Sequence, residues 1–497
     1  MTRLGRLARR LAGLLLLIAA MAAPAGANAA WRTAETQSFI VYSDQSAATI
    51  EAYARTLEDF DATLRKIHNM PVDGVLPRKL KVYLIDGKAQ MARIFPTAKD
   101  RAGLMVTTQA DIFAIATRGG LRQAGDRPGD ADDVVLHEYV HHFHKQYFAN
   151  AYPRWVVDGY AEYFATADFK PDQVVIGGGN ANRIGWLNGT WLPMDQVLDG
   201  ARPAPGSSDA ARFYAQSWLL THYLLSDVGR TRQFAAYLKT LHEGANPVAA
   251  WQAVFGQTPR DLEQALKAYR ARPVMGRIVP RGELGTKTVT VTELSPGADA
   301  VLLEYQQLLI GAPAATRAEV LERVAKAYAR LPNDRWTRLA QGRALTAYGD
   351  RAAGEAILQQ AIDADPGDWE AMLVMAESRR RTEGVEEAAR FAEARRWYLK
   401  VLEVDPDCFQ ALAGSVSMRR ILPDYPTDTD IEVIAKAITI APQVARFRLQ
   451  MADMLVRRKA KPDEIAAVLV PLLNDPHGED ALVREARDLM KQAGAPS

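Results

Sequence analysis

Cysteine and long apolar runs are nearly missing from this chain, and each shortage removes a class of answer. Cys408 is the only cysteine in 497 residues, so no disulfide can form within one chain. Stability must then come from packing and bound metal. Cys408 stands beside Phe409 in helical sequence and reads as a small buried hydrophobe. Past residue 30 no stretch is apolar for the ~20 residues that a bilayer span takes, so no stable membrane span is expected. Neither charge dominates, with 61 basic against 59 acidic residues. Without the four arginines of the first 29 residues, 57 basic residues face those 59, which argues against nucleic acid or a polybasic membrane surface as partner. No Gly-x-Ser-x-Gly elbow is present. Gly177-Gly178-Gly179-Asn180 and Gly185 lack the Lys-Ser or Lys-Thr of a phosphate-binding loop, and read as a turn or flexible rim.

What is present begins with an export signal. Arg3, Arg6, Arg9 and Arg10 precede an apolar run over 11–23, then Pro24 and the small-x-small site Ala27-Asn28-Ala29. The run is too short to span a bilayer. Residues 1–29 are therefore expected to be a signal peptide cleaved near Ala29, leaving a periplasmic or secreted protein. Arg9-Arg10 matches a twin-arginine signal only weakly.

The remaining length exceeds a single core and divides by pattern. Over 31–273 the sequence is mixed. Strand candidates lie at 39–42, 79–85 and 111–116, and an amphipathic helix over 47–68 carries Ala52, Leu57, Phe60 and Leu64 on one face. Strands followed by helices predict an α+β domain. Residues 274–296, with Pro280, Gly282 and Gly285, form a joint that is either linker or an added strand. From 297 to 495 an all-α domain of helical repeats is expected. Pro332, Pro366, Pro406, Pro442 and Pro476 recur at spacings of 34, 40, 36 and 34 between pairs of amphipathic helices. A period near 34 with proline at the turn marks tetratricopeptide-like repeats. Such units stack, and their concave face offers a place for a protein partner.

Histidine is scarce, eight in the whole chain, yet four of them fall within 137–144. In His137-Glu138-Tyr139-Val140-His141 the two histidines are spaced i, i+4 and share one helix face, so both can reach one metal ion. Glu138 projects about 100° away, within reach of a water that the metal activates. Zinc (Zn2+) suits such a donor set, since it takes nitrogen and carboxylate ligands and keeps an open position. His142 and His144 lie on other faces and read as structural or solvent-facing. A third ligand is required, and 153–164 offers Asp158 and Glu162, again spaced i, i+4.

These two stretches together resemble the gluzincin clan of metallopeptidases, the thermolysin and aminopeptidase N type. They are most similar to its peptidase-MA-like bacterial members with repeat arrays, over roughly residues 39–269. Those proteins carry the zinc helix and then a Trp-x-x-Glu-Gly-x-Ala-Glu helix, matched here by Trp155-Val156-Val157-Asp158-Gly159-Tyr160-Ala161-Glu162. The resemblance implies that His137 and His141 are ligands and Glu138 the general base of a zinc metallopeptidase. It aligns the family's ligand glutamate with Asp158, and the acid that supports a bound histidine with Glu162. Aspartate is one methylene shorter, so either the helix sits closer, or a water bridges, or Glu162 ligates instead. By the same resemblance 111–116 would be the edge strand that pairs with an extended peptide substrate. Tyr214 and then His222, from the helical stretch after 213, become candidates for steadying the oxyanion; for both, the alternative is helix packing. Two other readings stand beside hydrolysis of peptide bonds. One is a catalytically weak or inactive scaffold acting through its repeats, and the other a zinc hydrolase of a different substrate class.

Overall fold

In the computed structural model, residues 30–101, 103–117, 130–148, 152–204, 206–473, 475 and 478–494 are described, with side chains of the helix starting at 130 described from Val134. The expected signal peptide at 1–29 and the repeat proline Pro476 lie outside them.

The strand candidates are short runs rich in β-branched and aromatic residues, and both of their faces are largely buried. A six-stranded mixed sheet runs in the order β4-β5-β3-β2-β1-β9. Its members are β1 (Arg32–Glu35), β2 (Phe39–Ser43), β3 (Leu80–Ile85), β4 (Gly103–Thr107), β5 (Ile112–Thr117) and β9 (Thr290–Glu293). β2, β3 and β5 are mutually parallel, and the outer pairs are antiparallel. Phe39, Val41, Val82, Leu84 and Ala114 point to one face. Tyr42, Tyr83, Ile85, Phe113 and Ile115 point to the other, as the two-residue period of a strand demands. Three shorter strands, β6 (Asp168–Phe169), β7 (Gln173–Ile176) and β8 (Arg277–Pro280), make a second sheet.

The first face is covered by the long helix Ala47–Ile67 and by the helix Asp130–Tyr147 that carries the histidine motif. Ser46 caps the long helix by accepting from the Thr49 amide, and Arg65 and Lys66 stand in its last turn against the carbonyl end. The second face is covered by the helix Gly87–Ile94 and, from beyond the expected boundary, by Pro296–Ile310. Ala298, Leu302 and Leu303 of that helix pack on Tyr83, Ile85 and Phe113, each leucine contributing about 1.5–3 kcal/mol by burial. Val301, Tyr305 and Leu308 face the repeats. One helix thus belongs to two cores.

Two expectations need correcting. The strand at 111–116 is not at the edge: β4 pairs antiparallel with β5 and covers it. The missed strand, Gly103-Leu104-Met105-Val106-Thr107, opens on glycine and is too short to announce itself, while its partner is apolar throughout. Nor is 274–296 a free linker. β8 pairs with β7, and β9 pairs with β1 to close the far edge of the main sheet.

After residue 296 every regular element among the described residues is helical, and successive helices pack against one another up to Asp480–Gln492. The prolines act as the spacing implies. Leu331, Asp365, Asp405 and Ala441 each end a helix in a non-helical conformation immediately before a proline, because the proline ring disfavours helical geometry in the residue ahead of it. Asp334 and Asp368 then cap the following helices.

The helical region also folds back along the sheet domain. Gln306 accepts from the Tyr83 hydroxyl at 2.9 Å and donates to Asp111 at 2.9 Å, while Lys81 reaches the same carboxylate at 3.0 Å. Arg93 grips Glu304 through two bonds of 2.7 and 2.8 Å. Farther along, Arg78 pairs with Asp405 and Lys145 with Asp475. Because Asp111 is buried and neutralises a largely buried lysine, Asp111→Ala is expected to destabilise the protein by about 3 kcal/mol. Urea unfolding measures this; a loss under about 1 kcal/mol would show that this junction does not hold the two regions together.

Candidate metal centre

The helix Asp130–Tyr147 is fixed from its apolar side. Val135, Leu136, Val140 and Phe143 enter the core, and the buried Tyr139 hydroxyl donates to Asp61 at 2.6 Å. Asp61 is itself paired with the buried Arg65 at 2.7 Å. That anchor sits one residue past Glu138, so it sets the rotation of the motif. His137, Glu138 and His141 are consequently left half-buried, facing the next helix, Arg154–Phe164.

This second helix owes its position to a glycine. A Cβ on Gly159 would lie 2.5 Å from both the Ser217 carbonyl oxygen and the Thr221 hydroxyl, so only glycine lets it approach the helix Ser208–Leu225 this closely. Trp155, Ala161 and Phe164 fill the core around that contact, and the flanking Asp158 and Glu162 are buried against the histidines.

The two imidazoles present Nε2 to Nε2 at 2.9 Å. Asp158 Oδ1 lies 3.6 Å from His141 Nε2, and the donor atoms of His137, His141 and Asp158 all fall within 4.8 Å of one another. In a tetrahedral zinc site with ligands at 2.0–2.1 Å, neighbouring donors stand about 3.3 Å apart. The observed 2.9 and 3.6 Å bracket that value, so the donor set fits such an ion. Glu162 takes the other role: its Oε1 is 3.3 Å from Nδ1 of His137, the arrangement by which a carboxylate orients a ligating imidazole. Of the two acids left open by the sequence, Asp158 joins the donor group and Glu162 supports it.

Each acid is held from behind by an arginine. Arg154 Nε donates to Asp158 Oδ2 at 2.9 Å, and Arg183 makes two bonds of 2.6 and 2.7 Å to Glu162. Burial pushes the Glu162 carboxyl up, but His137 and Arg183 prevail and bring it down to about 2. Burial lowers the His137 imidazole, while the Glu162 bond and the charges of Glu138 and Asp158 raise it, with a net rise. Tyr214 belongs to the same constellation: its hydroxyl accepts from Arg154 at 3.2 Å, and its ring centre is 6.3 Å from that of His137.

His222 is not brought to this group. Its Nδ1 is engaged by the Tyr269 hydroxyl at 2.7 Å and its Nε2 by the Gly177 carbonyl at 2.9 Å, so it serves as a packing residue. The glycine-rich stretch it holds is a fixed turn. Gly177 has φ +75°, and its amide donates to Thr166. His142 and His144 are both driven to about 4, by burial and then by neighbouring cations, which makes them neutral structural groups. The sequence reading missed Arg154 and Arg183. Arg154 was available as an i, i+4 partner of Asp158; Arg183 reaches Glu162 from a separate short helix, Ala181–Trp186, and has no local signal.

The centre opens toward the repeats. His141, Lys145 and Val157 line a cleft whose far wall is Pro442, Gln443 and Arg448, and Gln443 donates to the His142 carbonyl.

No protein-family model matches the chain, and no curated protein matches it. Among solved structures it is similar to one described as "MamA RS-1 ArsTM double mutant", at 14% identity over 41% of this chain and 99% of that one, with a TM-score of 0.27.

The geometry predicts the response to substitution. Purified protein should carry close to one zinc per chain; Asp158→Ala should abolish it, and Glu162→Gln should weaken affinity about 10–100-fold. Metal analysis and competitive chelation measure both. Loss in Glu162→Gln with retention in Asp158→Ala would reverse the assignment, and metal-free wild type would remove it.

Proposed function

We propose that this chain is an exported zinc-dependent peptidase of gluzincin type, with tetratricopeptide-like repeats that bind its substrate protein or a partner. The observation that carries the reading is the joint placement of the motif histidines, Asp158 and Glu162. Two Nε2 atoms and one carboxylate oxygen converge, while the second carboxylate occupies Nδ1 of His137. A zinc ion held by His137, His141 and Asp158 would polarise a substrate carbonyl and lower the pKa of a water to about 7.

The chain's own groups have separable tasks in this scheme. Glu138, on the same helix and half-buried, accepts a proton from the attacking water and delivers it to the departing amine. Glu162, held ionised by Arg183, keeps the His137 ring oriented. Tyr214 takes its hydrogen bond from Arg154, which leaves its own proton for an oxyanion. Burial first, and the Asp158 charge next, raise its pKa, so that proton is retained. An extended substrate could add to the outer edge of β4, beside which Val134 and Val135 of the histidine helix pack on Gly103.

Glu138→Gln tests the reading. Hydrolysis of a quenched-fluorescent peptide library is expected to fall about 10²–10⁴-fold with zinc content unchanged. Equal hydrolysis by both proteins would exclude Glu138 as the base. Zinc-loaded wild type that cleaves nothing in the library or in unfolded protein would favour the scaffold reading, in which the repeats alone carry the function.

A further inference from the structure

The helical region, where it meets the β4–β5 turn, holds a cavity apart from the histidine cluster. It measures about 350 Å³ and is lined by four arginines, Arg343, Arg380, Arg381 and Arg420, against one carboxylate, Glu377. A second cavity of about 330 Å³ shares Arg343, Glu377 and Arg381. One wall comes from the sheet domain: Gln109 and Ala110, at the turn joining β4 to β5, lie against the repeats, and Gln410 fixes the turn by donating to the Ala110 carbonyl at 2.9 Å.

The charges in this groove are not balanced. Arg380 and Arg381 both lean on Glu377, at 2.8 and 3.2 Å, and the Tyr398 hydroxyl also donates to it. Although burial alone would raise it, Arg380 leads the groups that hold the Glu377 carboxyl below the usual range; it is fully committed. Arg343 donates to the Leu308 and Leu309 carbonyls at 3.2 and 3.4 Å and makes no ion pair among the described residues. Its pKa is lowered by burial, the mark of a cation short of counter-charge. Arg420 lies over the Phe391 ring at 5.4 Å and reaches Glu387 only at 3.7 Å. Between the arginines the floor is apolar, with Leu373, Met418 and Phe447.

We propose that this groove binds an acidic polypeptide segment, its carboxylates on Arg343, Arg380, Arg381 and Arg420 and its apolar side chains on the floor. Paired carboxylates and guanidinium groups supply directional bonds, and the excess of three positive charges sets the sign of the partner. A nucleic acid would satisfy the arginines, but it would leave the apolar floor facing phosphate and sugar. The site needs no metal, so it stands or falls apart from the peptidase reading.

The probe is a fluorescein-labelled peptide, Glu-Leu-Asp-Glu-Leu-Asp-Glu-Leu, beside its Gln/Asn counterpart. Anisotropy is measured on the full chain carrying Glu138→Gln with a chelator present, so that cleavage cannot intrude. The acidic peptide is expected to bind at least tenfold tighter than the amide peptide and to weaken with salt. Arg343→Gln should lower its affinity about tenfold. Because Arg343 also ties down two carbonyls, the more exposed Arg420→Gln, whose one acidic neighbour lies 3.7 Å away, gives an independent reading, with the same loss and an unchanged melting temperature. Equal binding of both peptides, or full affinity in both arginine variants, would overturn the proposal. A single-stranded oligonucleotide that binds as tightly as the acidic peptide would overturn the choice of polypeptide.

Discussion

A carboxylate cannot be buried without a fixed positive or hydrogen-bonding partner, and the candidate site is organised around that constraint. Asp158 is fully buried and Glu162 nearly so. Asp158 turns one oxygen to His141 and the other to Arg154, whereas Arg183 holds both oxygens of Glu162 and shares Oε1 with His137. Arg154 determines which oxygen of Asp158 remains for the imidazole: with Oδ2 occupied by Arg154, Oδ1 is the atom that faces His141. The same logic sets the histidine helix itself. Asp61 is buried on the long helix, and the Arg65 guanidinium and the Tyr139 hydroxyl satisfy it, so the motif is locked in rotation by an acid that never touches the site.

That arrangement has an electrostatic consequence. Two carboxylates facing two arginines leave little net negative charge behind the histidines. Arg154 bonds both Asp158 and Tyr214, so one side chain fixes the positions of the two.

The parts of this site that could be read from sequence are those made by neighbours on one helix. The spacing of His137 and His141, and of Asp158 and Glu162, places each pair on one face whatever the rest of the fold does. Gly159 was visible within its motif, but its reason, the Ser217 carbonyl, was not. What depends on distant pairing was illegible. Arg183 arrives from another helix. β9 joins β1 from about 260 residues away, so 274–296 looked like a joint. β4 displaced β5 from the edge because a five-residue strand opening on glycine carries little pattern of its own. His222 misled for a related reason: a buried polar residue near a site in sequence order resembles a catalytic one until its two partners are seen.

The turn between β4 and β5 is where the two halves of the molecule become one device. Asp111 ties the turn to Lys81 and to Gln306 of the helix that serves both cores. Ala110 is held by Gln410, and Gln109 walls the arginine groove. β4 leads from Gly103, packed on the histidine helix, to this turn. Its five residues span about 17 Å, so one edge strand runs from the contact with the histidine helix to the wall of the groove. Moving either end would move the other, because the strand between them is bonded along its length to β5.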